Sequence, residues 1–234
     1  MFFTKNSMEL SVIIPAYNEI NTIKEILEKV KKIKISKEII VIDDGSTDGT
    51  REYLENLKNP YIKIIFHKKN LGKSSAVRTG IKEAKGNITI IQDADLEYDP
   101  DDYYKLIKPI QEGKYKVVYG TRFPIISKMF SLTHRFFLAN RILTIISNIL
   151  YNANITDEPT CYKVFDTKVL QSLNLKSKRF EFCPEVTAKV RKKGYKIFEV
   201  PINYFPRTIE EGKKINWKDG IEAIWTLIKY RFID

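Results

Sequence analysis

The chain has 234 residues and a mass of 27.4 kDa, enough for one substantial core, and its 43% hydrophobic and 29% charged content excludes a globally disordered protein. Two cysteines, Cys161 and Cys183, exclude a disulfide scaffold, and with no secretory apolar region and no apolar run of ~18 residues the chain reads as made and kept in the cytosol. The formal net charge of +11 is uneven: residues 1–120 hold 20 Lys/Arg against 18 Asp/Glu, residues 121–234 hold 20 against 11, and such a field suits nucleic acid, anionic lipid or phosphorylated ligands.

Leu10–Pro15 reads as a short, β-branched, buried parallel strand. Asn18 or Asn21 is placed to cap a helix whose apolar stripe is Ile23, Ile26, Leu27 and Val30. Glu38–Asp43 is a second strand ending in Asp43-Asp44-Gly45-Ser46, and a helix carrying Tyr53, Leu54 and Leu57 follows Thr47. Ile62–Phe66 is a third strand, and Gly72-Lys73 opens a helix running to about Lys85. Asn87–Gln92 is the fourth strand, Pro100 stands near a helix start where it needs no amide partner, and Lys116–Tyr119 is the fifth strand. Strands alternating with helices predict an α/β fold, a mostly parallel twisted sheet with helices on both faces, whose ligands lie at the carboxyl ends of the strands.

The second half changes character. Residues 130–151 are helix-like and amphipathic, too polar to span a bilayer and too apolar to lie bare in water. Cys161–Phe165 reads as a strand, Phe180–Arg191 as a helix, Ile197–Ile202 as a strand and Trp217–Phe232 as a final helix. No repeat or low-complexity linker divides the chain, which predicts one domain with a first half, 1–120, and a second half, 121–234. His67 and His134 lack metal-ligand partners in the sequence and read as structural.

Asp93-Ala94-Asp95 closes the fourth strand. Alternate residues leaving a strand converge on one point, and few carboxylates plus diphosphate oxygens are the usual surroundings of Mg²⁺ or Mn²⁺. The bare triplet also fits a pair of surface caps before Pro100. Asp43-Asp44-Gly45-Ser46 likewise fits a plain turn before a helix, and Lys73 a solvated lysine.

Four segments in order, SVIIPAYNE (11–19), VIDDGSTDGT (41–50), GKSSAVRTG (72–80) and DADLEYDP (93–100), resemble the family 2 inverting glycosyltransferases. TDEPTCYKVF (156–165), FEFCPEVTAK (180–189) and EGKKINWKD (211–219) narrow the resemblance to dolichyl-phosphate mannosyltransferase and the polyprenyl-phosphate glycosyltransferases. The resemblance implies a GT-A fold and a metal-assisted transfer of hexose from GDP-mannose or UDP-glucose to a polyprenyl or dolichyl phosphate. It places Pro15, Ala16, Tyr17, Asn18, Glu19, Asp43, Asp44, Lys73 and Asp93 around the nucleotide, and Asp93, Asp95 and Glu97 on the metal. It puts Arg122 and Arg207 by the phosphates, with Asp95, as catalytic residues, and makes Asp157 a further catalytic-region residue that positions sugar or acceptor. Lys128, Arg135 and Arg141 are expected to meet the acceptor phosphate or a membrane surface, holding the enzyme peripherally at the cytoplasmic face, with a separate membrane protein as a candidate partner.

The rival expectation is the same fold acting on a soluble glycan or protein acceptor, with Asp157 as general base. A nucleic-acid-binding protein or an inert scaffold is a remoter one. The second half offers no base-reading helix or aromatic platform, and the acidic strand ends repel phosphodiesters.

Overall fold

The computed structural model describes residues 8–123, 134–207 and 217–233. Seven strands form one sheet: β1 (Leu10–Ala16), β2 (Lys37–Asp43), β3 (Ile62–Phe66), β4 (Ile88–Ile91), β5 (Val117–Thr121), β6 (Lys163–Asp166) and β7 (Ile197–Pro201). The helices are α1 (Ile20–Lys32), α2 (Thr50–Glu55), α3 (Lys73–Glu83), α4 (Tyr103–Gln111), α5 (His134–Tyr151), α6 (Thr167–Gln171), α7 (Phe182–Lys192) and α8 (Trp217–Phe232), with a 3₁₀ turn at Pro100–Asp102. No helix of the described residues is long and apolar enough to cross a membrane.

The strand order is β3-β2-β1-β4-β6-β5-β7. The pairs β2/β3, β1/β2, β1/β4 and β5/β7 are parallel, as the alternation of strands and helices predicts. β6 is the exception. It enters from the second half and pairs antiparallel with both β4 and β5, so the fourth and fifth strands are not neighbours. The second half therefore completes the sheet.

Alternating side chains feed two cores, one on each face. Val12, Ile14, Ile39 and Val41 join Ile23, Ile26, Leu27 and Val30 of α1 and Leu106, Ile107 and Ile110 of α4. Ile13, Ile40 and Ile42 point the other way, toward Ala76, Val77 and Ile81 of α3 and Val186 and Val190 of α7. Strands buried on both faces have continuous apolar runs, which is why β1 and β2 read so clearly in sequence. A third, smaller core joins α5, α7 and α8 through Leu143, Tyr151, Ala188, Ala223, Leu227 and Tyr230.

The capping expected of Asn18 or Asn21 is corrected. Glu19 is the N-cap of α1 and makes no side-chain cap bond. The Ile20 amide instead donates to Asp48 Oδ2 (3.1 Å), supplied by the loop after β2. Asn18 adopts φ 52°, and its Oδ1 accepts from the Thr47 amide (2.9 Å). The first two strand-end loops are thus tied together by side chains that sequence reading assigned to a helix.

Candidate active site

The carboxyl ends of β1, β2, β4 and β5 open on one cavity of about 800 Å³. Pro15, Ala16, Tyr17, Glu19 and Asp44 line it from the first two loops, Lys73 from the start of α3, and Asp93, Asp95 and Glu97 from the loop after β4. Arg122, after β5, and Arg207, after β7, complete the wall. Residues spread over almost 200 positions meet here because parallel strands deliver all their carboxyl ends to one edge.

Four expected site residues stand apart from this lining. Asn18 serves the loop as described above. Asp43 is fully buried behind the cavity, accepting from the Ser46 amide (3.2 Å) and Arg51 Nη1 (3.3 Å), so its carboxylate holds the turn. Asp157 lies behind Arg122, and Arg141 packs its guanidinium 5.0 Å from the centre of the Phe123 ring. Lys128 and the side chain of Arg135 lie outside the described residues.

Asp44 has a bracing role as well as a place in the wall. Its carboxylate accepts from the amides of Leu71 (3.0 Å) and Gly72 (2.8 Å) and meets His67 Nδ1 (2.6 Å), while His67 Nε2 meets Thr79 Oγ1 (3.0 Å). The structural reading of His67 holds. Gly72 has φ 94°, and a Cβ there would run into the Lys178 carbonyl. Only glycine turns this corner without strain, and the corner aims Lys73 into the cavity.

Lys73 Nζ lies 2.6 Å from Asp93 Oδ1 and donates to Cys161 Sγ at 3.3 Å. Burial works against its charge, but Asp93 and the nearby cysteine sulfurs together outweigh burial and raise the ammonium well above its ordinary pKa. Asp95 has no such partner in the same loop. Burial, then the nearby Asp93 and Glu97 carboxylates, push its pKa up to about 7. Leu96 between them adopts φ 63°, a left-handed turn that lets the Glu97 amide donate back to Asp95 Oδ1 (3.1 Å).

Glu97 stands near Asp95, but its carboxylate has partners of its own. Its carboxylate accepts from the Arg207 amide (2.8 Å) and the Tyr204 hydroxyl (3.3 Å). Arg207 in turn donates to the Asp95 carbonyl (2.8 Å) and to Glu19 Oε2 (2.9 Å), clasping the first and fourth loops together. Among the described residues no three His, Cys, Asp or Glu side chains are gathered for a metal ion. A cation held here would need oxygens from its ligand as well as from Asp93 and Asp95.

Beneath the acidic loop lies a polar layer with no sequence signal. Gln92 Oε1 accepts from both Tyr103 (2.7 Å) and Tyr162 (2.6 Å), and its amide donates to the Asp93 carbonyl (3.0 Å). All three side chains are buried, which fixes where β4 releases the chain. The Lys178–Glu181 stretch and Asn140, also in the wall, were missed because they belong to no strand end.

Residues 11–173 match the family described as glycosyl transferase family 2. The chain belongs to that family. Its enzymatic activity is glycosyl transfer.

This family 2 glycosyltransferase is 30% identical to an uncharacterized protein of Methanocaldococcus jannaschii, over 95% of this chain and 92% of that one. It is also 30% identical to a dolichol-phosphate mannosyltransferase of Pyrococcus furiosus, over 88% of this chain but only 59% of that one. Among solved structures it is similar to glucosyl-3-phosphoglycerate synthase of Mycobacterium tuberculosis in complex with Mn²⁺, UDP and phosphoglyceric acid. That similarity has a TM-score of 0.73 at 18% identity and covers 98% of this chain and 81% of the synthase. The α/β GT-A-like fold is thereby established.

The narrower resemblance is corrected. The structural likeness covers 98% of this chain, second half included, and runs to a glucosyl-3-phosphoglycerate synthase in complex with phosphoglyceric acid. The polyprenyl-phosphate branch, the lipid acceptor and the membrane surface expected from residues 128–151, 156–165, 180–189 and 211–219 do not stand against it.

Proposed function

We propose that this glycosyltransferase moves a hexose from a UDP-sugar to a soluble acceptor carrying a phosphate group. The observation that carries the reading is the pairing of Asp93 and Asp95 with Lys73, Arg122 and Arg207 in one cavity at the strand ends. Two carboxylates and three cations suit a ligand that arrives as a metal-bridged diphosphate beside a second phosphate. The metal-bound structures of glucosyl-3-phosphoglycerate synthase support a divalent ion, Mn²⁺ or Mg²⁺, in that role.

The donor set fits such an ion. Asp93 and Asp95 would hold it, and it would supply Lewis-acid stabilisation of the departing UDP. Glu97 is assigned to Arg207, not to the metal. Lys73 leaves Asp93 for the diphosphate as the ligand enters, exchanging one carboxylate for phosphate oxygens. Arg207 and Arg122 then face the acceptor end. Asp157 aims Arg122 and takes no proton, because both of its oxygens are already engaged. Tyr17, beside Pro15 and Ala16, lines the cavity and would meet the nucleotide there.

The test is direct. The protein is incubated with UDP-glucose or GDP-mannose, Mn²⁺ and separate panels of small phosphorylated acids, unphosphorylated glycans and a short polyprenyl phosphate, and released nucleoside diphosphate and sugar product are both measured. Transfer to a phosphorylated small acceptor from a UDP-sugar is expected. Transfer restricted to the glycans, or to GDP-mannose, would overturn the acceptor or donor assignment respectively.

A further inference from the structure

Asp157 holds Arg122, and Asp157 must itself be held. It lies between α5 and β6, in residues 152–162, which have no helix or strand of their own. Backbone amides there need partners from elsewhere in the fold. Glu199 of β7 supplies two of them: its Oε2 accepts from the Thr156 amide (2.7 Å) and its Oε1 from the Asp157 amide (3.1 Å). β7 is an edge strand, where charged side chains ordinarily face water and discourage pairing with other chains. Glu199 is instead half-buried, with both oxygens engaged by the residue pair that carries Asp157.

Strand register explains the reach. β7 runs parallel to β5, with Glu199 opposite Tyr119 and Pro201 opposite Thr121, the residue before Arg122. Thr121 Oγ1 also meets Thr156 Oγ1 (2.8 Å). From α5, Asn148 accepts from the Ile155 amide (3.0 Å) and donates to the Ile155 carbonyl (2.8 Å). Of these three side chains, only Glu199 bonds the Asp157 amide.

We propose that Glu199 is a positioning residue for acceptor binding: by holding the Thr156 and Asp157 amides it sets where Asp157 presents its carboxylate, and so how Arg122 faces the acceptor phosphate. This rests on Arg122 facing the acceptor, as proposed above. Asp157 takes Nε and Nη2 of the guanidinium, which leaves Nη1 outside that grip. A planar guanidinium binds an anion best when its N–H groups point at the oxygens, so a small rotation weakens the contact without removing the charge. Two converging amides require two acceptor oxygens. Glutamine would offer one oxygen and turn an NH₂ group toward the second amide.

The test is Glu199→Gln, assayed with UDP-glucose, Mn²⁺ and phosphoglyceric acid as acceptor, beside calorimetric titration with UDP. The acceptor KM should rise about tenfold, the scale of one charge-assisted hydrogen bond. Turnover at saturation should stay within about twofold and UDP affinity should be unchanged, because Lys73, Asp93 and Asp95 stand on other loops. Glu199→Asp keeps both oxygens one methylene short and should recover part of the loss; it gives the same reading if the glutamine variant fails to fold. A merely structural role would lower the melting temperature and reduce turnover without moving the acceptor KM. An unmoved acceptor KM, or UDP affinity falling as far as acceptor affinity, would overturn the proposal. Wild-type transfer to an unphosphorylated glycan alone would overturn the acceptor reading, and this proposal with it only if the KM for that glycan is also unmoved by the substitution.

Discussion

Arg122 grips Asp157 through both carboxylate oxygens: Nε donates to Oδ2 and Nη2 to Oδ1, each at 2.8 Å, while the Arg122 amide also donates to Oδ2 at 2.9 Å. Both side chains are buried. Burial alone would raise the Asp157 pKa, but Arg122 holds it below the ordinary carboxylate value. The pair is one rigid unit beneath the cavity, with Arg122 over the Tyr204 ring at 5.0 Å. Asp157→Asn is therefore expected to destabilise the protein by about 3 kcal/mol, since removing one partner of a buried pair strands the other. Thermal melting measures it. A variant that melts like the wild type yet loses turnover would assign Asp157 to proton transfer.

Lys73 and Asp93 form the second pair, and this one is expected to open. Lys73→Met should weaken UDP binding about tenfold, the scale of one charge-assisted hydrogen bond. Calorimetric titration with and without Mn²⁺ reads the effect. Unchanged UDP affinity would leave Lys73 as a mere counter-ion of Asp93.

Asp93→Asn and Asp95→Asn should each abolish the extra thermal stabilisation that Mn²⁺ adds to UDP, because ligand binding raises apparent stability by mass action. Glu97→Gln should keep most of it while loosening Arg207. Differential scanning fluorimetry over the three variants separates the two roles, and an equal loss in all three would return Glu97 to the metal.

Gly72→Ala should cost about 1–3 kcal/mol, since alanine at φ 94° is strained and its Cβ meets the Lys178 carbonyl. UDP affinity should fall with it, because the same corner aims Lys73. Denaturant unfolding and UDP titration of one variant test both halves of the statement.

Glu158 supplies a pH dependence. It is fully buried, its Oε2 has no hydrogen-bond partner among the described residues, and burial raises its pKa above the ordinary 4.5. Between the unfolded and folded values the native protein binds the extra proton, so stability present at low pH is lost as pH rises through the folded pKa. Glu158→Gln should flatten that decline. Urea midpoints at several pH values above 4.5 provide the measurement, and parallel wild-type and variant curves would contradict it.

Much of the cavity wall at the ends of β1, β2 and β4 was legible in the residues themselves. Continuous apolar runs named β1, β2 and β4, and Pro15, Asp44, Lys73 and Asp93 each sit where a strand or turn had to release the chain. The residues themselves did not show how Arg207 would come to the same cavity. Arg207 reaches the cavity through contacts with Glu97 and Glu19, more than 100 residues away, and no local pattern records such a meeting. Asp43 shows the opposite failure. It shares a motif with Asp44, yet a one-residue step along the chain turns its carboxylate into the core.

Local chemistry determined the α/β class, most element boundaries and the acidic tip of the fourth strand, because periodicity, proline and glycine act over a few residues. Tertiary structure decided the insertion of β6 between β4 and β5, the retirement of Asp43 and Asp157 from the cavity wall, and the diversion of Glu97 to Arg207. Those outcomes depend on which distant groups compete for one carboxylate, and that competition exists only once the sheet has brought them within hydrogen-bond reach.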